Sequence, residues 1–172
     1  MRRIASLAAE LQISGVALVA LGVLGAGAAM VSGVDPVRVL IPVVVGGVAA
    51  GLVQHLIGGR WIRVNSLGAP AAPPDTPVET EQATLRRTLL TQVLIYLVVL
   101  ALFFAALSPA LAAVFGGVLA GVGVANLIAA RWLGDTERAT SATVLREVSS
   151  SPFASGRRPL YTLPRSDSTL AT

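Results

Sequence analysis

Inside its apolar stretches this 172-residue chain carries only a few groups able to hydrogen-bond or exchange a proton: Gln12, Ser14, Gln54, His55, Thr91, Gln92, Tyr96 and Asn126. His55 stands five residues before Arg60, Asn126 five before Arg131, and Gln92 five after Arg87, while Gln12 and Ser14 lie near the start of the first apolar run. At 1.5 Å per helical residue each sits about 7 Å from a layer of arginines. Two kinds of chemistry fit Gln12, Gln54, His55, Gln92 and Asn126 as an intramembrane polar layer. One is structural, with amide and imidazole groups bonding between helices at about 0.6–2 kcal/mol each. The other is a shallow polar cup open to the cytoplasm, with a histidine as its proton-responsive group. One histidine among amides favours the structural reading.

The groups that harder chemistry needs are missing. No carboxylate lies within any apolar span, although coupled proton or sodium transport normally uses one. The chain has no Cys and a single His. It shows no Ser–His–Asp set, metal cluster, phosphate loop or dinucleotide fingerprint. We expect no catalytic, cofactor or metal site, and a non-enzymatic role.

The elements that hold these groups are long and apolar. Leu11 to Val34, Val39 to Gly59 and Thr88 to Ala130 carry no charge, and the last covers 43 residues with a Ser108–Pro109 break near its middle. A bilayer core needs roughly 20 apolar residues per helix, so four spans are expected, at about 11–33, 37–59, 86–107 and 109–131. Hydrophobic residues make up 54% of the chain and charged ones 13%, a balance that suits a helical membrane protein and leaves no room for a separate soluble domain. The opening Met1-Arg2-Arg3 imitates a secretory signal, but the apolar run exceeds the roughly 7–15 residues of a cleavable one. An uncleaved first helix is expected.

All 13 basic residues are arginine, a bias expected of a GC-rich bacterial or archaeal genome. Twelve of them lie at the N-terminus, between spans two and three, or after span four; the other short turns hold only Asp35 and Arg38. The positive-inside rule then puts both termini and the middle linker (60–85) in the cytoplasm, in a plasma (inner) membrane. The net charge of +4 is read as headgroup contact rather than nucleic-acid binding, so the bilayer with its anionic headgroups is the expected partner.

Local signals place the ends. Asp35–Pro36 and Ser108–Pro109 each pair a capping side chain with a proline at the first helical position, which gives two tight hairpins. Thr76-Pro77-Val78-Glu79 resembles a capping box and starts helix three near Pro77. Gly134 ends span four. The segment 134–148 is expected as a short amphipathic surface helix, and the Ser-, Arg- and Pro-rich 149–172 as a disordered cytoplasmic tail after a 1–10 cytoplasmic N-terminus and an 11–133 membrane domain.

The hairpins resemble each other. GGVAAG (Gly46–Gly51) and LIGGRW (Leu56–Trp61) recur as GGVLAG (Gly116–Gly121) and LIAARW (Leu127–Trp132), which reads as a tandem repeat in parallel orientation. Small residues mark helix contacts in membranes: Gly47, Gly51 and Gly59 form one stripe with His55, and Gly117, Gly121 and Ala125 another. The RW pairs, Arg60–Trp61 and Arg131–Trp132, read as interface anchors. The expected fold is an all-α integral membrane protein of four transmembrane helices in two tandem hairpins.

The segment GGVLAGVGVANLIAARW (Gly116–Trp132) resembles the last hairpin of the ATP synthase protein I family, small four-span proteins associated with assembly of a rotor ring. The resemblance covers that segment and not the first hairpin, and no residue role is carried over. On the residues themselves, the expected function is an accessory, assembly or structural subunit that uses Gly-rich packing within a homo-oligomer or a larger membrane complex. The alternative is an oligomeric channel, holin-like pore-former or transporter for small solutes or ions.

Overall fold

Four helices account for most of the chain in the computed structural model, which describes residues 3–148 and 158–164. They are α1 (Leu7–Val31), α2 (Pro36–Leu67), α3 (Glu81–Leu107) and α4 (Pro109–Thr140), each long and apolar enough to cross a membrane. Three strands accompany them: β1 (Arg3–Ser6), β2 (Ala142–Val148) and β3 (Leu160–Pro164).

The two turns at one end form as their residues dictate. Asp35 accepts the Val37 and Arg38 N–H groups at 2.7 and 3.3 Å, and Pro36 opens α2. Ser108 accepts the Leu111 N–H at 3.2 Å, and Pro109 opens α4. Gly33, at φ +81°, supplies the left-handed residue that lets the chain leave α1.

Helix α4 is the centre of the molecule, with α1 along one face and α2 along another. The contacts between α1 and α2 are few although they are joined by a tight turn, because both spend their small residues on α4. The α1–α4 seam has a period of seven: Gly15, Gly22 and Ala29 on α1, and Gly116, Gly123 and Ala130 on α4. A seven-residue period keeps one seam together along two supercoiling helices. Gly22 lies against the Gly116 carbonyl and Gly123 against the Gly15 carbonyl. The α2–α4 seam has a period of four, in which Gly47 and Gly51 meet Gly117 and Gly121. Helix α3 lies over α1, and at the turn end over α4, where Phe103 stacks on Phe115 with ring centroids 5.0 Å apart.

The strands form an antiparallel sheet in the order β1-β2-β3 at the other end of the bundle. Arg3 pairs with Val148 and Ser6 with Leu145; Ala142 pairs with Pro164 and Leu145 with Tyr161. Side chains alternate between the faces of a strand. One face sends Val144 and Leu160 into a core with Leu7, Leu11, Ile62, Ala130 and Leu133. The opposite face carries Ile4, Glu147 and Tyr161 beneath Pro73 and Thr76 of the linker. The linker also closes both sheet edges. The Ile4 N–H donates to the Pro77 carbonyl (3.2 Å) and the Glu79 N–H to the Ile4 carbonyl (2.7 Å). On the far edge the Ala72 N–H donates to the Thr162 carbonyl (2.9 Å), and the Thr162 N–H to Pro70 (2.8 Å). Open edges invite pairing with other chains, and this Pro/Ala-rich stretch covers them.

Several expectations are corrected here. The chain is mostly helical, with a sheet, rather than all-α. The segment 134–148 is not a surface helix: α4 runs through Gly134 to Thr140, Ser141 turns the chain at φ 52°, and Ala142–Val148 is a strand. Strands on both sides make extended pairing better than a second helix there. The 149–172 region is ordered in part, since Leu160–Pro164 forms β3; 149–157 and 165–172 lie outside the described residues. The 1–10 segment holds β1 and the start of α1. Helix α2 continues past Gly59 to Leu67. Helix α3 starts at Glu81, capped by Thr80 (3.3 Å to the Ala83 N–H) rather than Thr76, because Pro77 to Glu79 are drawn out alongside β1.

Candidate functional site

The polar groups gather near the sheet end of the bundle, in three places. The deepest is a chain of side chains across three helices. Asn126 on α4, 7% exposed, accepts a hydrogen bond from Gln54 Nε2 of α2 (3.2 Å) and donates one to Ser14 Oγ of α1 (3.3 Å). Asn126 can do both because an amide offers an acceptor and donors on one planar head. Its neighbours in sequence, Ala125 and Gly123, are small and let the helices close around it.

The structure therefore joins two residues of the expected layer, Gln54 and Asn126, and adds Ser14. Gln12 is exposed and lines a groove of about 360 Å³ between α1 and α3, with Ala9, Ile13, Val16, Glu81, Leu85 and Leu89. The Gln92 side chain lies outside the described residues. His55 is apart from the amide chain. It begins a π-helical turn, His55–Gly59, in α2, where an extra residue per turn shifts the helix face. Its Nδ1 is shut off from solvent and has no hydrogen-bond partner. It lies in a narrow crevice between α2 and α4 lined by Gly59, Ile62, Arg63, Ile128, Ala129 and Trp132.

About one turn closer to the sheet is an ionic network with parts from far-separated regions. Glu10 of α1 is 4% exposed. It accepts from Arg146 of β2 at 2.5 Å and from Arg87 of α3 at 3.5 Å. Arg87 also lies 3.1 Å from Glu79, which in turn accepts from the Thr84 hydroxyl at 3.0 Å. One Arg87 nitrogen, Nη2, meets Glu79 as an ion pair by distance without a well-aligned hydrogen bond. The alternation of β2 aims Arg146 at the helices, on the same face as Val144. Arg158 donates to the Glu147 carbonyl at 3.4 Å. Burial holds its guanidinium below the usual arginine range; Arg146 and Arg87 act the same way, against Glu10 and Glu147. Thr88, fully buried beside Arg87 in sequence, has a hydroxyl with no partner.

Sequence reasoning did not anticipate this network. The available signal was Glu10 itself, a carboxylate directly before 24 uncharged residues (11–34), where burial requires a cation. Which cation it takes was not legible.

The glycine stripes meet each other. A β-carbon on Gly51 would lie 3.0 Å from the Gly121 carbonyl oxygen, and one on Gly47 2.9 Å from that of Gly117. One on Gly121 would overlap the Gly47 carbonyl, and one on Gly117 that of Val43. Gly59 instead faces His55 and Arg63, and Ala125 is buried. Both stripes are thus consumed inside one chain. Of the anchor pairs, Arg60 and Arg131 are exposed. Trp61 and Trp132 are partly buried and pack against the core under the sheet.

Among the described residues no group of three or more His, Cys, Asp or Glu could hold a metal ion. Comparison with protein-family models, with curated proteins and with solved structures found no match, so the local likeness of Gly116–Trp132 to one family extends to no family assignment.

Proposed function

We propose that this protein is a non-enzymatic, multi-pass membrane protein, with the sheet and both termini in the cytoplasm, that serves as an accessory, assembly or structural subunit of a larger membrane complex. The observation that carries this reading is how the polar and small residues are used. Asn126, Gln54 and Ser14 bond to one another, and the glycines of α2 and α4 face each other. Apart from Gln12 on α1, the open surface of the spans includes long apolar faces: Leu40, Ile41, Val44, Val48 and Leu52 along α2, and Leu90, Leu94, Leu97 and Leu102 along α3. Such faces suit lipid or the apolar flank of a neighbouring subunit. The sheet and linker add a small folded cap through which a cytoplasmic partner can be met. The matched stripes of α2 and α4 also suit the reading of the two hairpins as a tandem repeat, since equivalent positions pair as in a parallel two-helix contact.

Purification from the native host in mild detergent, followed by native mass spectrometry with protein identification, tests this. We expect one partner at fixed stoichiometry. A clean homo-oligomer that conducts ions in liposomes would instead establish the pore reading.

A further inference from the structure

We propose that the sheet end of the α2–α4 pair binds the headgroup of one anionic phospholipid, through Arg60, Arg63 and Arg131. This deepens the membrane-embedded reading and rests on it.

Charge is divided unevenly at the sheet end. On the α1–α3 side Arg87 and Arg146 are matched by Glu10 and Glu79. Beyond α4's last apolar turn, Arg138 is matched by Asp135 at 2.8 Å. On the α2–α4 side, among the described residues, Arg60, Arg63 and Arg131 meet no carboxylate within ion-pair distance. The pairing of Gly47 with Gly117 and Gly51 with Gly121 sets a register of 70 between the two helices. Arg60 and Arg131 are therefore within one residue of the same height, and Arg63 lines the crevice between the helices.

The residues beneath the arginines point to a lipid. Directly beneath the arginines the pair is apolar and open: Leu56 is 62% exposed, Ile57 61% and Ile128 51%. A phosphate above a hydrocarbon chain matches that succession; a soluble polyanion or acidic peptide does not use the lower half. Inside the crevice, His55 Nδ1 is buried without a partner, and a β-carbon on Gly59 would lie 3.6 Å from it and 3.9 Å from an Arg63 nitrogen. The His55 nitrogen calls for a hydrogen-bonding partner, and the crevice of about 10 Å³ has room for no more than one water. Arginine's planar donor fork is suited to phosphate oxygens.

The test uses the full chain in nanodiscs of phosphatidylcholine containing a minor share of phosphatidylglycerol, followed by native mass spectrometry of the released protein. The expected result is one retained phosphatidylglycerol, favoured over phosphatidylcholine. Combining Arg60→Gln, Arg63→Gln and Arg131→Gln should reduce that preference by about tenfold or more. The charge-matched combination Arg3→Gln, Arg86→Gln and Arg138→Gln should leave it intact. Equal loss in both variants would mean diffuse attraction to a basic end and would overturn the site, as would equal retention of the two lipids. Displacement by excess soluble glycerol phosphate would overturn the lipid in favour of phosphate alone. A chain that fails to enter the discs at all would overturn the membrane-embedded reading with it, whereas entry without lipid preference overturns only this proposal.

Discussion

Single side chains at the sheet end do two different jobs. Asn126 bridges α2 and α1 through neutral hydrogen bonds, and an apolar replacement there leaves Gln54 and the buried Ser14 hydroxyl without that partner, at about 1–3 kcal/mol. Glu10 is another matter. It faces Arg146 and Arg87 from a nearly buried position, and removing its charge strands cations between the sheet and the helices. Glu10→Gln should cost about 2–3 kcal/mol, below the roughly 3–5 of a fully buried pair because Arg146 retains contact with solvent. Thermal unfolding in detergent measures this. A midpoint equal to the parent's would show that the network contributes nothing. The chain's charge distribution announces a basic face, and Glu10 is visible within it as an anomaly. The identity of its partner, 136 residues away, is not.

At the scale of elements, glycine has two separable meanings. Gly121 sits against the Gly47 backbone, so any side chain there separates α2 from α4. Gly27, also mid-helix in α1, has nothing within 4 Å of where its β-carbon would be. Gly121→Ala should therefore destabilise by about 1–3 kcal/mol through overpacking against backbone. Gly27→Ala should be neutral or stabilise by about 0.4–1 kcal/mol, as alanine restricts the unfolded chain. Unfolding midpoints compared in one detergent decide it, and equal effects at the two positions would refute the intramolecular assignment of the stripe. The four-residue stripe of α2 and α4 was readable as a contact face. The seven-residue seam of α1 was harder to see, because Gly25, which also packs against Ala112 and Gly116, and Gly27, which meets nothing, break its regularity.

For the whole molecule, the sheet is what ties the first residues to the last described ones. Arg3 pairs with Val148 across β1 and β2, and β2 with β3, so the first and last described strands share one end of the bundle. Paired positions in antiparallel strands lie about 4.5–5.5 Å apart at Cα, within reach of a disulfide, and the chain has no native Cys. Arg3→Cys with Val148→Cys should form an intrachain link on mild oxidation, seen as a faster-migrating monomer on a non-reducing gel. A dimer band in its place would mean that the sheet pairs between copies.

The apolar runs, with their Asp35–Pro36 and Ser108–Pro109 starts, determined four helices and two turns without help from the rest of the chain. The reason is local: a helix satisfies its backbone within four residues, and a cap within three. The middle linker, the ends of α2 and α3, and the last 40 residues had no such closure. Ala142–Val148 is a strand because β1 and β3 lie on either side of it, and Pro70 to Glu79 are extended because they close the sheet's edges. The glycine stripes identified contact faces, but their mutual pairing depends on which helix fills the space beside α4. Those choices belong to long-range packing, where each surface competes for the others, and only the tertiary structure decides them.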